Sequence, residues 1–228
     1  MDFTPIAKPI FSSRARRTEK WSGHVEELQR RQLIWLLKRA SETEIGRKYG
    51  FKDILASSDP IAAYQESVPT VAYDDIRPYA MRMVEGESDV LWPGRCKRFA
   101  QSSGTSGGKS KFVPITNDSL RHNHYPGTSD VVAHYLKMNP KSRIFSGKSL
   151  ILGGSFANEL NLKSDVKVGD LSATLIDRMP KLADMVRVPD KRIALMEDWS
   201  EKLPALAGAA SKSNITNISG VPSWFLTV

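Results

Sequence analysis

The residues best suited to chemistry lie in one run, Ser102-Ser103-Gly104-Thr105-Ser106-Gly107-Gly108-Lys109-Ser110, with Lys111 directly after it. Glycine lets backbone N–H groups turn towards an anion without steric cost. Serine and threonine hydroxyls add donors, and Lys109 and Lys111 supply positive charge. Such a loop suits the phosphates of a nucleotide. A flexible Ser/Gly linker is the plain alternative, but it needs neither the ordered Ser-Ser-Gly-Thr-Ser start nor the lysines. The P-loop pattern G-x-x-x-x-G-K-[ST] finds its last three positions in Gly108-Lys109-Ser110, but its first falls on Ser103. A P-loop also runs into a helix, whereas residues 111–115 read as a strand. Other reactive residues are sparse. His122 and His124 stand two apart on an expected helix, so their rings diverge. Asp118 and Asp130 are the closest carboxylates, so no metal site is expected. Cys96 is the single cysteine and reads as a packed small residue, with no His-Asp arrangement to make it a nucleophile.

The spacing Ser-Ser-Gly-Thr-Ser-x-Gly-x-x-Lys-x-x-Pro over residues 102–114 resembles the ATP phosphate-binding motif of the auxin-responsive (Gretchen Hagen) acyl-acid amido synthetase family. That family is a branch of the acyl-adenylate-forming superfamily. Ser102, Ser103, Gly104, Thr105, Ser106, Gly108, Lys111 and Pro114 stand at the matching positions, with Gly107 and Lys109 between them. Upstream, Val68-Pro69 and Tyr73-Asp74-Asp75-Ile76-Arg77-Pro78-Tyr79 are similar to the family's approach to the loop. Downstream, Val168-Gly169-Asp170-Leu171-Ser172 and Ser219-Gly220-Val221-Pro222-Ser223-Trp224 look like its bacterial-type members.

The resemblance implies a two-step reaction. A carboxylic acid attacks the α-phosphate of ATP, bound with Mg2+, and pyrophosphate leaves. An amine, typically of an amino acid, then displaces AMP from the acyl-adenylate. Lys111 is the expected catalytic charge on the leaving pyrophosphate, with Lys109 a weaker candidate. Gly220, Val221 and Trp224 are the expected wall of the acid pocket. Two further nucleotide motifs of that family, a Tyr-Ala-Ser-Ser-Glu-like and a Tyr-Arg-x-Gly-Asp-like segment, do not occur in this sequence. The resemblance therefore implies an N-terminal portion of a longer enzyme, whose C-terminal portion is an expected partner of this chain. The apolar close Trp224-Phe225-Leu226-Thr227-Val228 fits that expectation. Two rival readings are a nucleotide-binding regulatory fragment without turnover and a P-loop-like phosphotransferase.

The elements that must position this loop read as mixed α and β. Residues 24–40 form an expected helix, with Val25, Leu28, Leu33, Leu36, Leu37 and Ala40 on one face. Asp59-Pro60 starts a short helix that Val68-Pro69 ends. Residues 73–85 form another, kinked near Pro78. Strands follow at 97–101 and 111–115, a helix from Thr116 or Asn117 towards Lys137, a buried strand at 149–154 and a helix at 171–179. A long helix at 192–210, bent or divided at Pro204, leads to a strand at 215–219, and Val221-Pro222 opens another helix. The expected organisation is α/β: a helical segment at 1–90, then mixed α/β layers at 91–228 that hold the phosphate loop. These layers would form the N-terminal part of a large adenylate-forming domain.

Composition agrees with a folded chain: 228 residues, 40% hydrophobic and 25% charged. Apolar runs stay short of a bilayer span, and the first residues lack the apolar core of a secretory signal. A cytoplasmic setting without membrane contact is therefore expected. The net charge of +8 sits mostly in residues 1–52, where 12 basic residues face 6 acidic ones. Arg14, Arg16, Arg17, Lys20, Arg30, Arg31, Lys38 and Arg39 carry it. Without a zinc-finger, RNA-binding or helix-turn-helix pattern, they read as the solvated side of amphipathic helices, not as a nucleic-acid surface.

Overall fold

A computed structural model describes residues 2–102, 110–160, 162 and 165–226. The chain divides into two compact units, one built from residues 1–18, 117–159 and 168–228, the other from 19–116 and 160–167.

The second unit is helical around the hairpin that frames the loop. Leu37 and Ala40 of the Val25–Ala40 helix bury against Phe51 and Ile54 of the Phe51–Ala56 helix, with Leu33, Tyr64 and Trp92 packed around them. The buried stripe is narrower than the sequence suggests, since Val25 and Leu36 face solvent. The Asp59 carboxylate accepts the Ile61 N–H at 3.1 Å and starts the Pro60–Ser67 helix, as its proline predicts. The Tyr73–Val84 helix carries Pro78 in its interior, and Asp75 reaches back to accept the Ala72 N–H at 2.9 Å. Arg82 of this helix donates to both oxygens of Glu44 (3.0 and 2.7 Å) and also pairs with Glu87. The Arg82 guanidinium holds both carboxyls below their ordinary range. The strands Arg98–Ser102 and Lys111–Pro114 then pair antiparallel. At the hairpin's entry, Asp165 bridges Arg95 (2.6 Å) and Lys97 (2.8 Å), while the Lys167 N–H donates to the Lys97 carbonyl.

The first unit holds a parallel sheet. Its central strand Lys148–Leu152 lies between Arg187–Val188 and Ile215–Gly220, parallel to both. Leu206 of the Trp199–Ser211 helix packs on Leu150, Leu152 and Val188. The sequence suggests a single helix over 192–210, bent or divided at Pro204. The structure instead has two, Lys191–Ala194 and Trp199–Ser211, with Pro204 inside the second. The break falls at Asp198, whose carboxylate accepts the Ser200 N–H at 2.8 Å and starts the second helix. The expected helix after Thr116 is likewise composite: Asn117–Ser119, a π-helical turn Leu120–His124, then Tyr125–Met138. Residues 4–19 form a helix that apolar periodicity does not announce. Arg14 on it leaves the solvated face assigned from charge, because its guanidinium donates to Asp130 (2.6 Å) and to the Pro126 carbonyl (2.9 Å). Among the described residues no helix is long and apolar enough to cross a membrane.

Candidate functional site

The hairpin register sets Ser102 directly opposite Lys111, so the paired strands close the two ends of the loop between them. Residues 103–109, which include the expected phosphate ligands Ser103, Gly104, Thr105, Ser106, Gly107, Gly108 and Lys109, lie outside the described residues. What the structure defines is the mouth of the loop. Because the chain leaves it as a strand antiparallel to the one before, the P-loop geometry of strand into helix is absent. The phosphotransferase reading falls with it.

The Tyr73–Val84 helix fixes the outgoing strand. Its Tyr73 hydroxyl accepts the Phe112 N–H at 2.5 Å and donates to the Phe112 carbonyl at 3.2 Å. One turn on, Arg77 donates to the Ser110 carbonyl at 2.8 Å and lies 5.5 Å from the Phe112 ring centre. Tyr73 and Arg77 share a helix face by their i, i+4 spacing, which is why both meet one strand. Phe112 is itself buried, as is Phe99 on the partner strand. Lys111 stands half-buried, its ammonium 5.7 Å from the Tyr73 ring centre, and forms no ion pair among the described residues. Across the mouth, Gln101 donates to the Ser110 hydroxyl at 3.0 Å, while its buried Oε1 has no hydrogen-bond partner among the described residues. A half-buried cation with no ion pair among the described residues is a feature that a bound anion would satisfy. Cys96 packs nearby in the chain, its thiol pushed up by burial and donating to the Arg98 carbonyl at 3.1 Å.

In the other unit, the strands Lys148–Leu152 and Ile215–Gly220 end side by side, Leu152 opposite Gly220. From the central strand the chain goes first to one side and then to the other. Ligands of parallel sheets bind at such a switch, outside the carboxyl ends of the strands. Gly220 sits there because a Cβ would lie 2.6 Å from the Leu152 carbonyl oxygen. Val221 is exposed. Trp224, in the Pro222–Leu226 turn, meets Trp199 edge-on at 5.2 Å and packs against the sheet's apolar cluster.

Sequence reasoning missed the lysine that holds the adjoining turn. Lys202 is 1% exposed. Its ammonium donates to the carbonyls of Gly153 (2.6 Å) and Gly154 (3.3 Å) and lies 4.7 Å from the Trp199 ring centre. Burial pushes its pKa down, and the Asp170 charge acts against that shift. The Asp170 carboxylate accepts the Ser155 N–H at 3.2 Å, and the Ser172 hydroxyl accepts that of Gly154 at 2.9 Å. The turn admits only glycine at 154, where a Cβ would come within 1.7 Å of Asp170 Oδ2. The segment Val168-Gly169-Asp170-Leu171-Ser172 thereby acquires a physical reason.

A family model described as the GH3 family N-terminal domain matches residues 14–222. The chain belongs to the GH3 family. Among similar proteins, a putative indole-3-acetic acid-amido synthetase, GH3.10, of Oryza sativa subsp. japonica is 34% identical over 106 residues. That alignment covers 46% of this chain and 22% of the relative. A 4-substituted benzoates-glutamate ligase, GH3.12, of Arabidopsis thaliana is 47% identical over 58 residues, 25% of this chain and 10% of its own. The solved structure of the GH3.15 acyl acid amido synthetase superposes with a TM-score of 0.73 at 22% identity. The match covers 93% of this chain and 37% of the solved one, and it establishes the fold. This GH3 chain thus spans well under half the length of the relatives it matches.

Proposed function

We propose that this GH3 chain supplies the nucleotide phosphate site of an ATP-dependent acyl-acid amido synthetase. The observation that carries the reading is the hairpin mouth, where a Ser/Thr/Gly loop is closed by Ser102 and Lys111 in register and braced by Tyr73 and Arg77. In the first step a substrate carboxylate oxygen attacks the α-phosphorus of ATP, and the bond to the bridging oxygen breaks to release pyrophosphate. In the second step an amine attacks the acyl carbon, AMP leaves with the bonding pair, and the nitrogen loses a proton. The loop would hold the β- and γ-phosphates, and Lys111 would offset the charge that builds on the leaving pyrophosphate. Such fixed charge acts on the transition state without reorganisation.

The donor set at the mouth, hydroxyls and an ammonium, fits phosphate oxygens. Among the described residues no trio of His, Cys, Asp or Glu could hold a metal ion. Mg2+ would arrive on the nucleotide and supply further charge neutralisation there. Gly220, Val221 and Trp224, at the carboxyl end of the parallel sheet, are assigned to the acid substrate. The small acids and amino acids in the names of the relatives support that class of substrate.

ATP–pyrophosphate exchange in the intact protein tests the reading. Acid-dependent exchange that Lys111→Ala lowers by about 10²–10³-fold, with an unchanged melting curve, is the expected result. Near-normal exchange in that variant would overturn the role of Lys111. Nucleotide binding with no exchange for any carboxylic acid would leave a regulatory binding module instead.

A further inference from the structure

The end of the parallel sheet opposite the switch point holds a cavity of about 370 Å³, within the range of small-molecule sites. Its walls are the three segments that lead into the three strands: residues 146–148, 185–186 and 212–214, with Phe3 closing one side. The sheet is irregular beside it. The ladder between the central strand and Ile215–Gly220 slips one residue between Lys148 and Ser149, leaving Thr216 as a bulge tied to the Ile144 carbonyl at 2.6 Å. Bulges of this kind re-aim side chains next to sites.

Two exposed lysines, Lys148 and Lys212, line this cavity, and among the described residues no carboxylate does. Neither lysine has an ion pair or side-chain hydrogen bond among the described residues. The carboxylates adjacent in sequence to the lining are already committed: Asp2 to Arg143 and the Thr4 N–H, and Asp184 to Arg187. Ser146, Ser213 and Asn214 add polar groups, while Phe3 and Met185, both exposed, add an apolar wall. Two point charges without an arginine fork match a compact dianion better than a single carboxylate. A phosphomonoester is close to dianionic at neutral pH.

We propose that this cavity binds a small soluble phosphomonoester, its phosphate between Lys148 and Lys212 and its organic part against Phe3 and Met185. The site lies at the amino ends of the strands, so it stands apart from the crevice assigned to substrate and does not depend on that assignment. Lys212 follows the Trp199–Ser211 helix directly, where a cation also favours the helix dipole. A purely structural lysine would shift the melting curve of the ligand-free protein and leave ligand binding unchanged.

The test is calorimetric titration of the intact protein with phenyl phosphate, in saturating Mg-ATP to occupy the nucleotide loop. Phenyl phosphate is expected to bind, with monoanionic phenyl sulfate and ring-free inorganic phosphate both weaker. Lys148→Met and Lys212→Met should each weaken phenyl phosphate about tenfold, the loss of one charge-assisted contact, with unchanged melting. Absence of phenyl phosphate binding, or equal affinity in the double variant, overturns the proposal. So does binding that appears only when Mg-ATP is omitted, which would place the ligand in the nucleotide loop.

Discussion

Two lysines show how differently the units of this protein use the same side chain. At the carboxyl end of the parallel sheet, Lys202 is buried and committed to the carbonyls of Gly153 and Gly154. Around it Asp170 and Ser172 answer the N–H groups of Ser155 and Gly154. At the hairpin mouth, Lys111 lies over the Tyr73 ring, and among the described residues it has no counter-ion and the neighbouring Gln101 Oε1 has no donor. Where polar groups satisfy one another, a substitution is felt in stability. Where they are left open against a rigid frame, it is felt in binding and turnover.

The widest separation should come from Lys111→Ala, which is expected to lower ATP–pyrophosphate exchange by about 10²–10³-fold. Its unfolding free energy should stay within about 0.5 kcal/mol of the parent, as for a surface substitution. A marked loss of stability would place Lys111 with Lys202 as scaffold. Lys202→Met should do the opposite: it strips two buried carbonyls of their donor and costs about 2–3 kcal/mol in urea denaturation. An unchanged denaturation midpoint would show that the turn does not need the ammonium. Tyr73→Phe removes both hydrogen bonds to Phe112 and is expected to cost about 1–2 kcal/mol. It should also raise the KM for ATP, since the strand carrying Lys111 loses its brace; a stability loss with unchanged KM would confine Tyr73 to packing. The smallest effect is expected at Asp2, whose carboxyl is lowered from 3.8 to about 2, first by the Thr4 hydrogen bonds and then by Arg143. Its contribution is present above the unfolded value and is lost as pH falls towards about 2. The stability difference between parent and Asp2→Asn should therefore shrink between about pH 4 and pH 2. A difference that stayed constant across that window would remove Asp2 from the account.

What the sequence made legible was local. Asp59 before Pro60 and the apolar stripe of Leu33, Leu37 and Ala40 announce their helices through neighbours three or four residues away. The phosphate loop is recognisable because its glycines and hydroxyls are contiguous. Asp198-Trp199-Ser200-Glu201 is a readable helix start, and the break lies just before it, not at Pro204. The Thr4–Glu19 helix stayed hidden because Pro9 argues against it and its packing comes from Asp130 and His134, more than a hundred residues on. Lys202 was invisible for the same reason, since its partners lie 48 and 49 residues earlier. Nothing in a stretch of helix marks one lysine as the cap of a distant turn.

The π-helical turn Leu120–His124 sets a phase. It holds one residue more than an α-helical turn would, and one residue is worth about 100° of rotation. Everything from Tyr125 to Met138 is thereby dialled round relative to Asn117–Ser119. That setting brings Asp130 under Arg14 and puts His134 Nε2 within 2.7 Å of the Thr18 hydroxyl. Deleting a single residue from the turn would restore an ordinary helix and swing both contacts about a quarter of the way around its axis. The length of this short segment, more than the identity of any residue in it, decides which face of the helix meets the N-terminal one.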